Sequence, residues 1–245
     1  MPIIIGAYKG SIPYIKAYKG SNLMFETGGK INPLKALIER TIEKVDVELS
    51  NEITEIGSNA FMYCENLKSV TIPNSVTSIG ASAFQDCISL KSITIPDSVT
   101  FIYGGAFLNC SSLESITIPD SVTDIRGAAG SGGFENCISL KHVEISKNLK
   151  KLTNSIFKNC SSLESITIPE VVTVIDVSAF EQCSSLTSMT LLPNTPPALG
   201  STTSISTATT TIYVPAGTKS AYESASIWAD LLTRSTNPVT FVELS

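Results

Sequence analysis

Histidine and tryptophan occur once each in this 245-residue chain, and only 16% of its residues are charged. Acid–base catalysis draws on histidine or on carboxylates whose ionisation a pocket has perturbed. A lone His142 among serines and threonines supplies neither, so no enzyme, cofactor or metal is expected. A Ser-His-Asp arrangement would have to recruit Ser115 or Ser165 and an aspartate from the turns, yet these residues recur in every unit for packing and turn reasons. The formal net charge is −5, so nothing global draws the chain to nucleic acid or anionic lipid. No apolar run reaches the roughly 20 residues needed to cross a bilayer. The first residues, MPIIIGAYKG, carry no basic n-region and only a three-residue apolar core, so they do not read as a secretion signal.

What is present is repetition. Phenylalanine recurs at 61, 84, 107, 134, 157 and 180, in steps of 23, 23, 27, 23 and 23 residues, and a cysteine follows each three residues later. Leu67, Leu90, Leu113, Leu140, Leu163 and Leu186 keep the same step. An apolar i, i+2 pair such as Ile93 and Ile95 then predicts a short strand with one buried face. Proline at 73, 96, 119 and 169 cannot donate to a strand ladder, and an Asp or Asn after it favours a turn. A second apolar pair, for example Val99 and Ile102, leads into an Ala-Phe-x-x-Cys segment expected to form one helical turn. Strand, turn and short helical return at a period of 20–29 residues is the leucine-rich-repeat pattern. Six units are clear and a partial one begins at Val47, so the expected fold is a right-handed α/β solenoid of about seven units.

The six cysteines are expected to be reduced and structural. Disulfide frameworks rarely place every cysteine at one core position of a repeat, and parallel side chains on neighbouring strands do not meet. A straight ladder cannot wrap four sulfurs around one metal ion, whereas a small buried hydrophobe suits free cysteine.

The flanks differ from the array. Residues 1–31 repeat IGAYKGS as IKAYKGS and are expected to form a separable β-hairpin attachment; their Lys-Gly-Ser turns lack Walker spacing. Residues 32–46 begin with Asn32 as a helix cap and Pro33 at the first helical position, and Leu34, Leu37, Ile38 and Ile42 fall on one face, so a capping helix is expected. The array is assigned to 47–192. Residues 193–245 change to LPNTPPALG, a hydroxyl-rich tract and a strand-plus-helix pattern ending near Trp228, expected to cap the far end. LPNTP has Pro196 where a sortase anchor needs glycine, and reads as a turn.

The unit AFQDCISLKSITIPDSVTFI resembles the BspA-like, or treponemal-type, leucine-rich repeats of bacteria. The resemblance runs from about Val47 to Leu192, and IYVPAGTKSAYESASIWAD is similar to a segment that follows such arrays. It implies a curved solenoid with a ligand-binding surface, in a family that includes surface proteins of gut and oral bacteria involved in adhesion, and it brings no catalytic residues. It therefore implies a non-enzymatic scaffold that binds a host or neighbouring-cell protein at the cell surface. The AYKGS duplication is similar to strand modules of phage tail proteins, so a virion-associated protein, a structural spacer and a cytoplasmic location stay open.

The outward strand positions read Ser-x-Thr in nearly every unit and offer no aromatic hot spot. One unit departs: His142 and Glu144 replace Ser and Thr, four extra residues lie within RGAAGSGG before it, and lysines stand at 141, 147, 150, 151 and 158. Insertions in repeat arrays map to loops, often on the binding face. The candidate contact residues are His142, Glu144, Arg126, Lys141, Thr117 and Thr167, with the lysines giving a local positive charge and no oligomeric state implied. Decay of a single unit accounts for the same letters.

Overall fold

Alternation of buried β-branched residues gives one short strand per unit, and those strands stack in parallel. The protein, seen in a computed structural model, is described for the backbone of residues 3–5, 14–19, 22–28 and 45–49, and for residues 51, 53–126 and 132–245, with side chains from Val47 onward. The first ladder runs in three hydrogen-bonded sections: Val45–Leu49, Leu67–Thr71 and Ser92–Thr94, then Ser115–Thr117 and His142–Glu144, then Ser165–Ile168 and Ser188–Leu191. Its register follows the sequence period: Val70 faces Ile93, Ile116 faces Val143 and Ile166 faces Met189. A second ladder of two- and three-residue strands runs from Glu55–Ile56 through Ser78–Ile79 and Phe101–Tyr103 to Asp124–Arg126, and resumes at Lys151–Leu152, Val174–Ile175 and Ala198–Leu199. The result is the expected solenoid of about seven turns.

Between the ladders four units turn at a proline. Val76, Val99, Val122 and Val172 donate their amides to the carbonyls of Pro73, Pro96, Pro119 and Pro169 at 2.9–3.1 Å. Ser75, Ser98 and Ser121 send their hydroxyls to carbonyls of the preceding unit at 2.6–2.7 Å. The fifth unit lacks both proline and serine at these places, yet Ser146, standing where proline stands elsewhere, reaches the Val122 carbonyl at 2.7 Å and is fully buried. The framework bond therefore survives in the irregular unit.

The far side of each unit carries the spine. Six phenylalanine rings stack face to face, with centroids 4.9–5.6 Å apart and planes within 17°. Each of the five from Phe61 to Phe157 donates its amide to the residue before the next phenylalanine, as Phe61 does to the Ala83 carbonyl at 2.7 Å. The thiols of Cys87, Cys110, Cys137, Cys160 and Cys183 donate back to the preceding phenylalanine carbonyl at 3.1–3.3 Å. All six cysteines are buried and none forms a disulfide. These segments are not the single helical turns expected from Ala-Phe-x-x-Cys. Residues two before and two after the phenylalanine, such as Ser82 and Asp86, are left-handed (φ 53° and 58°), and this directs alternate amides sideways to the next unit instead of along a helix. Asparagine tolerates that conformation well. Asn109, Asn136 and Asn159 occupy it and link their carboxamides into a ladder that ends on Asp86, with bonds of 2.6–2.7 Å.

The inserted segment leaves the spine in register. Phe107 still donates to the Gly133 carbonyl at 2.9 Å, and its ring meets Phe134 at 5.1 Å and 2°. Residues 127–131 of the insertion lie outside the described residues. Gly132 ends it: a Cβ there would sit 1.7 Å from the Ser155 carbonyl oxygen.

At the N-terminal end, strand Ile3–Ile5 pairs in parallel with Val47–Leu49, extending the first ladder, while Tyr14–Lys19 and Asn22–Gly28 form an antiparallel hairpin. Of the segment 32–46 expected to be helical, Val45 and Asp46 belong to a strand, pulled into the ladder by pairing with Leu67 and Ser69; the rest lies outside the described residues. At the other end the ladder does not stop at residue 192. Thr211–Val214 pairs with Ser188–Leu191, and Thr240–Glu243 pairs with Thr211–Val214. Ser206, Thr209 and Ile212 stand one 23-residue step beyond Cys183, Leu186 and Met189, and the buried hydroxyls of Ser206 and Thr209 bond the Cys183 and Leu186 carbonyls at 2.7 and 2.8 Å. Helices Lys219–Ser224 and Ser226–Leu232 cover this end. Tyr222 and Trp228 pin them through bonds of 2.7 Å each to the Pro193 and Pro197 carbonyls, and the Arg234 guanidinium closes over the carbonyls of Ser206, Thr207 and Thr209. Among the described residues no helix is long and apolar enough to cross a membrane.

Burial pushes the Cys137 and Cys183 thiols up from 9.0 to about 12, and raises those of Cys87, Cys110 and Cys160. A group whose folded pKa is raised contributes stability that is complete below its unfolded value and is lost as pH climbs towards the folded one. Urea melts should therefore show stability falling above pH ~9, by up to about 1.4 kcal/mol per pH unit for each thiol. An alkylating reagent should add six groups after denaturation without reductant and react slowly before it; fewer than six adducts would reveal disulfides. Gly132→Ala should cost about 1–3 kcal/mol through its backbone clash. Gly133→Ala, whose Cβ would meet only an Ile125 methyl at 3.2 Å, should cost clearly less in the same melts.

Candidate functional site

Because one face of each first-ladder strand is committed to the core, the other face is where units can differ. Strand pairing aligns its outward residues into two rows. One row brings Ser69 beside Ser92, Ser115 beside His142, and Ser165, Ser188, Thr211 and Thr240 into line. The other runs through Glu48, Thr71 and Thr94, sets Thr117 beside Glu144, and ends with Thr167, Thr190, Tyr213 and Val242. An open groove of about 1270 Å³ lies over the middle units. Its walls include Thr94, Thr117, Glu144 and Thr167 from the strands, and Asp97, Asp120, Lys147 and Glu170 from the turns.

Of the residues singled out from sequence, Thr117, Glu144 and Thr167 line this groove together. The Thr117 hydroxyl donates to a Glu144 carboxylate oxygen at 3.0 Å, which fixes the glutamate against the ladder. His142 is exposed on the same strand as Glu144 but outside the groove lining. Lys141 immediately precedes it, its amide bonded to the Glu114 carbonyl at 2.9 Å. Arg126 is not brought to this place. It belongs to the second ladder, where its guanidinium bonds Asp124 at 2.8 Å and stacks 5.1 Å from the Phe101 ring centroid and 5.9 Å from that of Tyr103. The bond to Asp124 raises the Arg126 pKa.

Three lysines of the cluster are paired with carboxylates, while Lys141 and Lys150 are exposed. Lys147 pairs with Asp120 at 3.6 Å, Lys151 with Asp176 at 2.9 Å and Lys158 with Glu181 at 3.3 Å. Lys151 holds Asp176 below the usual carboxylate range, and bonds from Ser178 and Lys158 do the same for Glu181. The groove itself is acidic, with Asp97, Asp120, Glu144 and Glu170 against Lys147 alone. Sequence reasoning missed Asp97, Asp120 and Glu170 as groove residues, although they share one turn position, which Lys147 holds in the unit between Asp120 and Glu170. It also missed Tyr213 and Val242, 36% and 38% exposed, which continue the outward row beyond the recognised repeats. Among the described residues no group of three His, Cys, Asp or Glu side chains is placed to hold a metal.

Comparison with known proteins agrees with this architecture. The BspA type leucine rich repeat region matches residues 39–131 and 129–226, in six copies. The chain resembles the crystal structure of a T. pallidum leucine rich repeat protein at 26% identity and a TM-score of 0.55, over 77% of this chain and 81% of that one. A leucine-rich repeat protein from Bacteroides ovatus shares the fold at 21% identity and a TM-score of 0.54, over 87% of this chain and 65% of that one. No curated protein matches the sequence. The match over most of its length places the chain in the BspA-type leucine-rich-repeat family.

Proposed function

We propose that the chain is a non-enzymatic recognition scaffold that binds a partner protein along the groove of its first ladder, in adhesion at the bacterial cell surface. The observation that carries this reading is the groove itself, which crosses several units of one sheet face and includes Glu144, where the otherwise regular Ser-x-Thr rows are broken. Leucine-rich-repeat scaffolds of this family generally serve protein interaction, and the family's association with bacterial surfaces supports the location. Glu144, held by Thr117, sits within the groove, with Thr167 one strand further on, and His142 is exposed on Glu144's own strand. Ser146 keeps the irregular unit's framework bonded, which favours a unit altered on its surface over one that has decayed.

The test is a selection of binders from an unbiased random peptide library displayed on phage. Clones should bind the wild type and lose at least about tenfold in affinity, roughly 1.4 kcal/mol, for Thr117→Tyr plus Thr167→Tyr, which fills the groove with residues favourable in strands. His142→Ser plus Glu144→Thr, which restores the regular rows, should weaken the same clones without lowering the melting temperature. Clones that all tolerate the groove-filling variant would refute the groove as the docking face.

A further inference from the structure

The charge of the groove identifies the chemistry of its occupant. Resting on the groove as the docking face, we infer that it takes an extended polypeptide segment bearing lysine or arginine, with an apolar residue at the end next to Val171 and Leu192. Four carboxylates and one ammonium line the groove. The ammonium, Lys147, is spent on Asp120, whose other oxygen accepts the Lys147 amide at 2.8 Å. Asp97, Glu144 and Glu170 are exposed and make no ion pair among the described residues. Opposite charge in the partner would satisfy them, while an acidic segment, a nucleic acid or an anionic membrane would be repelled.

The spacing favours a chain over an isolated cation. Adjacent strands lie about 4.8 Å apart, so the three steps from Asp97 to Glu170 cover roughly 14 Å, the reach of about four residues of extended chain. Carboxylates spread in this way do not converge on one point, in keeping with the lack of a metal-binding group among the described residues. The apolar end distinguishes a polypeptide from a small polyamine. Val171 and Leu192, each 38% exposed, line the same groove; in earlier units Ser121 and Pro119 hold the corresponding places. A cation without an apolar part would leave them uncovered.

The selection described above separates this inference from the reading beneath it. Clones sensitive to the groove-filling variant should be rich in lysine and arginine; sensitive clones that are neutral or acidic would overturn the inference while leaving the groove reading intact. A synthetic peptide alternating lysine and serine and ending in leucine, followed by fluorescence anisotropy, gives the direct measurement. Glu144→Gln plus Glu170→Gln should weaken it about tenfold, and raising the salt should weaken it further. Glu55→Gln plus Glu65→Gln, the same charge change at exposed sites off the groove, should leave binding unchanged. Equal loss in both double variants would reduce the effect to bulk charge and overturn the inference. So would full displacement of the peptide by spermidine together with indifference to replacing the terminal leucine by serine, which would make the occupant a small cation.

Discussion

Both backbone groups of each core phenylalanine from Phe61 to Phe157 are tied to the following unit: its amide donates forward to a carbonyl, and its carbonyl receives the next cysteine thiol. Each of these carbonyls also accepts the amide of its own unit's cysteine at 3.0–3.3 Å, so the thiol of the next unit is the second donor to a buried acceptor, and it ties one unit to the next through a small buried side chain. The rings are held at a separation of 4.9–5.6 Å by the same bonds, so register along the spine sets register everywhere else. The near-identity of the units follows from this linkage, because a change at the phenylalanine or the cysteine would disturb two units at once.

Where the spine imposes nothing, single units are free to depart from the repeat, as the insertion and the pair His142 and Glu144 do. The insertion is accommodated between Arg126 and Gly132, after one ladder has been completed and before the spine resumes at Gly133. The outward strand rows and the turn residues are likewise unconstrained by the core. Substitutions there change the charge of the groove without affecting the framework, which is how Glu144 can replace a threonine and still be held by its neighbour Thr117. A fixed spine beneath a face that can be altered one unit at a time suits a recognition scaffold, since surface residues can change at little cost to folding.

The parts legible in sequence were those with a period. Phenylalanine, cysteine and the strand pairs recur in fixed steps, so the core and the outward rows could be assigned without coordinates. The turns around the phenylalanine were misread as helical because only some of the left-handed positions carry asparagine, as Asn109, Asn136 and Asn159 do, while Ser82, Ser155 and Ser178 are inconspicuous. The last coil was hidden because Ser206 and Thr209 satisfy carbonyls with hydroxyls at positions where cysteine and leucine had marked the period. Within the lysine cluster, the carboxylates that pair with Lys147, Lys151 and Lys158, namely Asp120, Asp176 and Glu181, lie one unit away, and such pairings emerge only once units are stacked. The acidic groove was legible in principle, through Asp97, Asp120 and Glu170 at one turn position, but each residue taken singly was only a turn former.

Native-state hydrogen exchange tests most directly whether one spine runs unbroken through the irregular unit. The Phe107 and Asn109 amides donate across the insertion to Gly133 and Glu135 at 2.9 Å each, while the Phe84 and Asp86 amides make the equivalent bonds to a regular neighbour at 2.7 and 2.8 Å. A continuous spine predicts that all four exchange slowly, with similar protection and by the same cooperative opening. Protection of Phe107 and Asn109 lower by several orders of magnitude than that of Phe84 and Asp86 would show that the array is two blocks joined at the insertion.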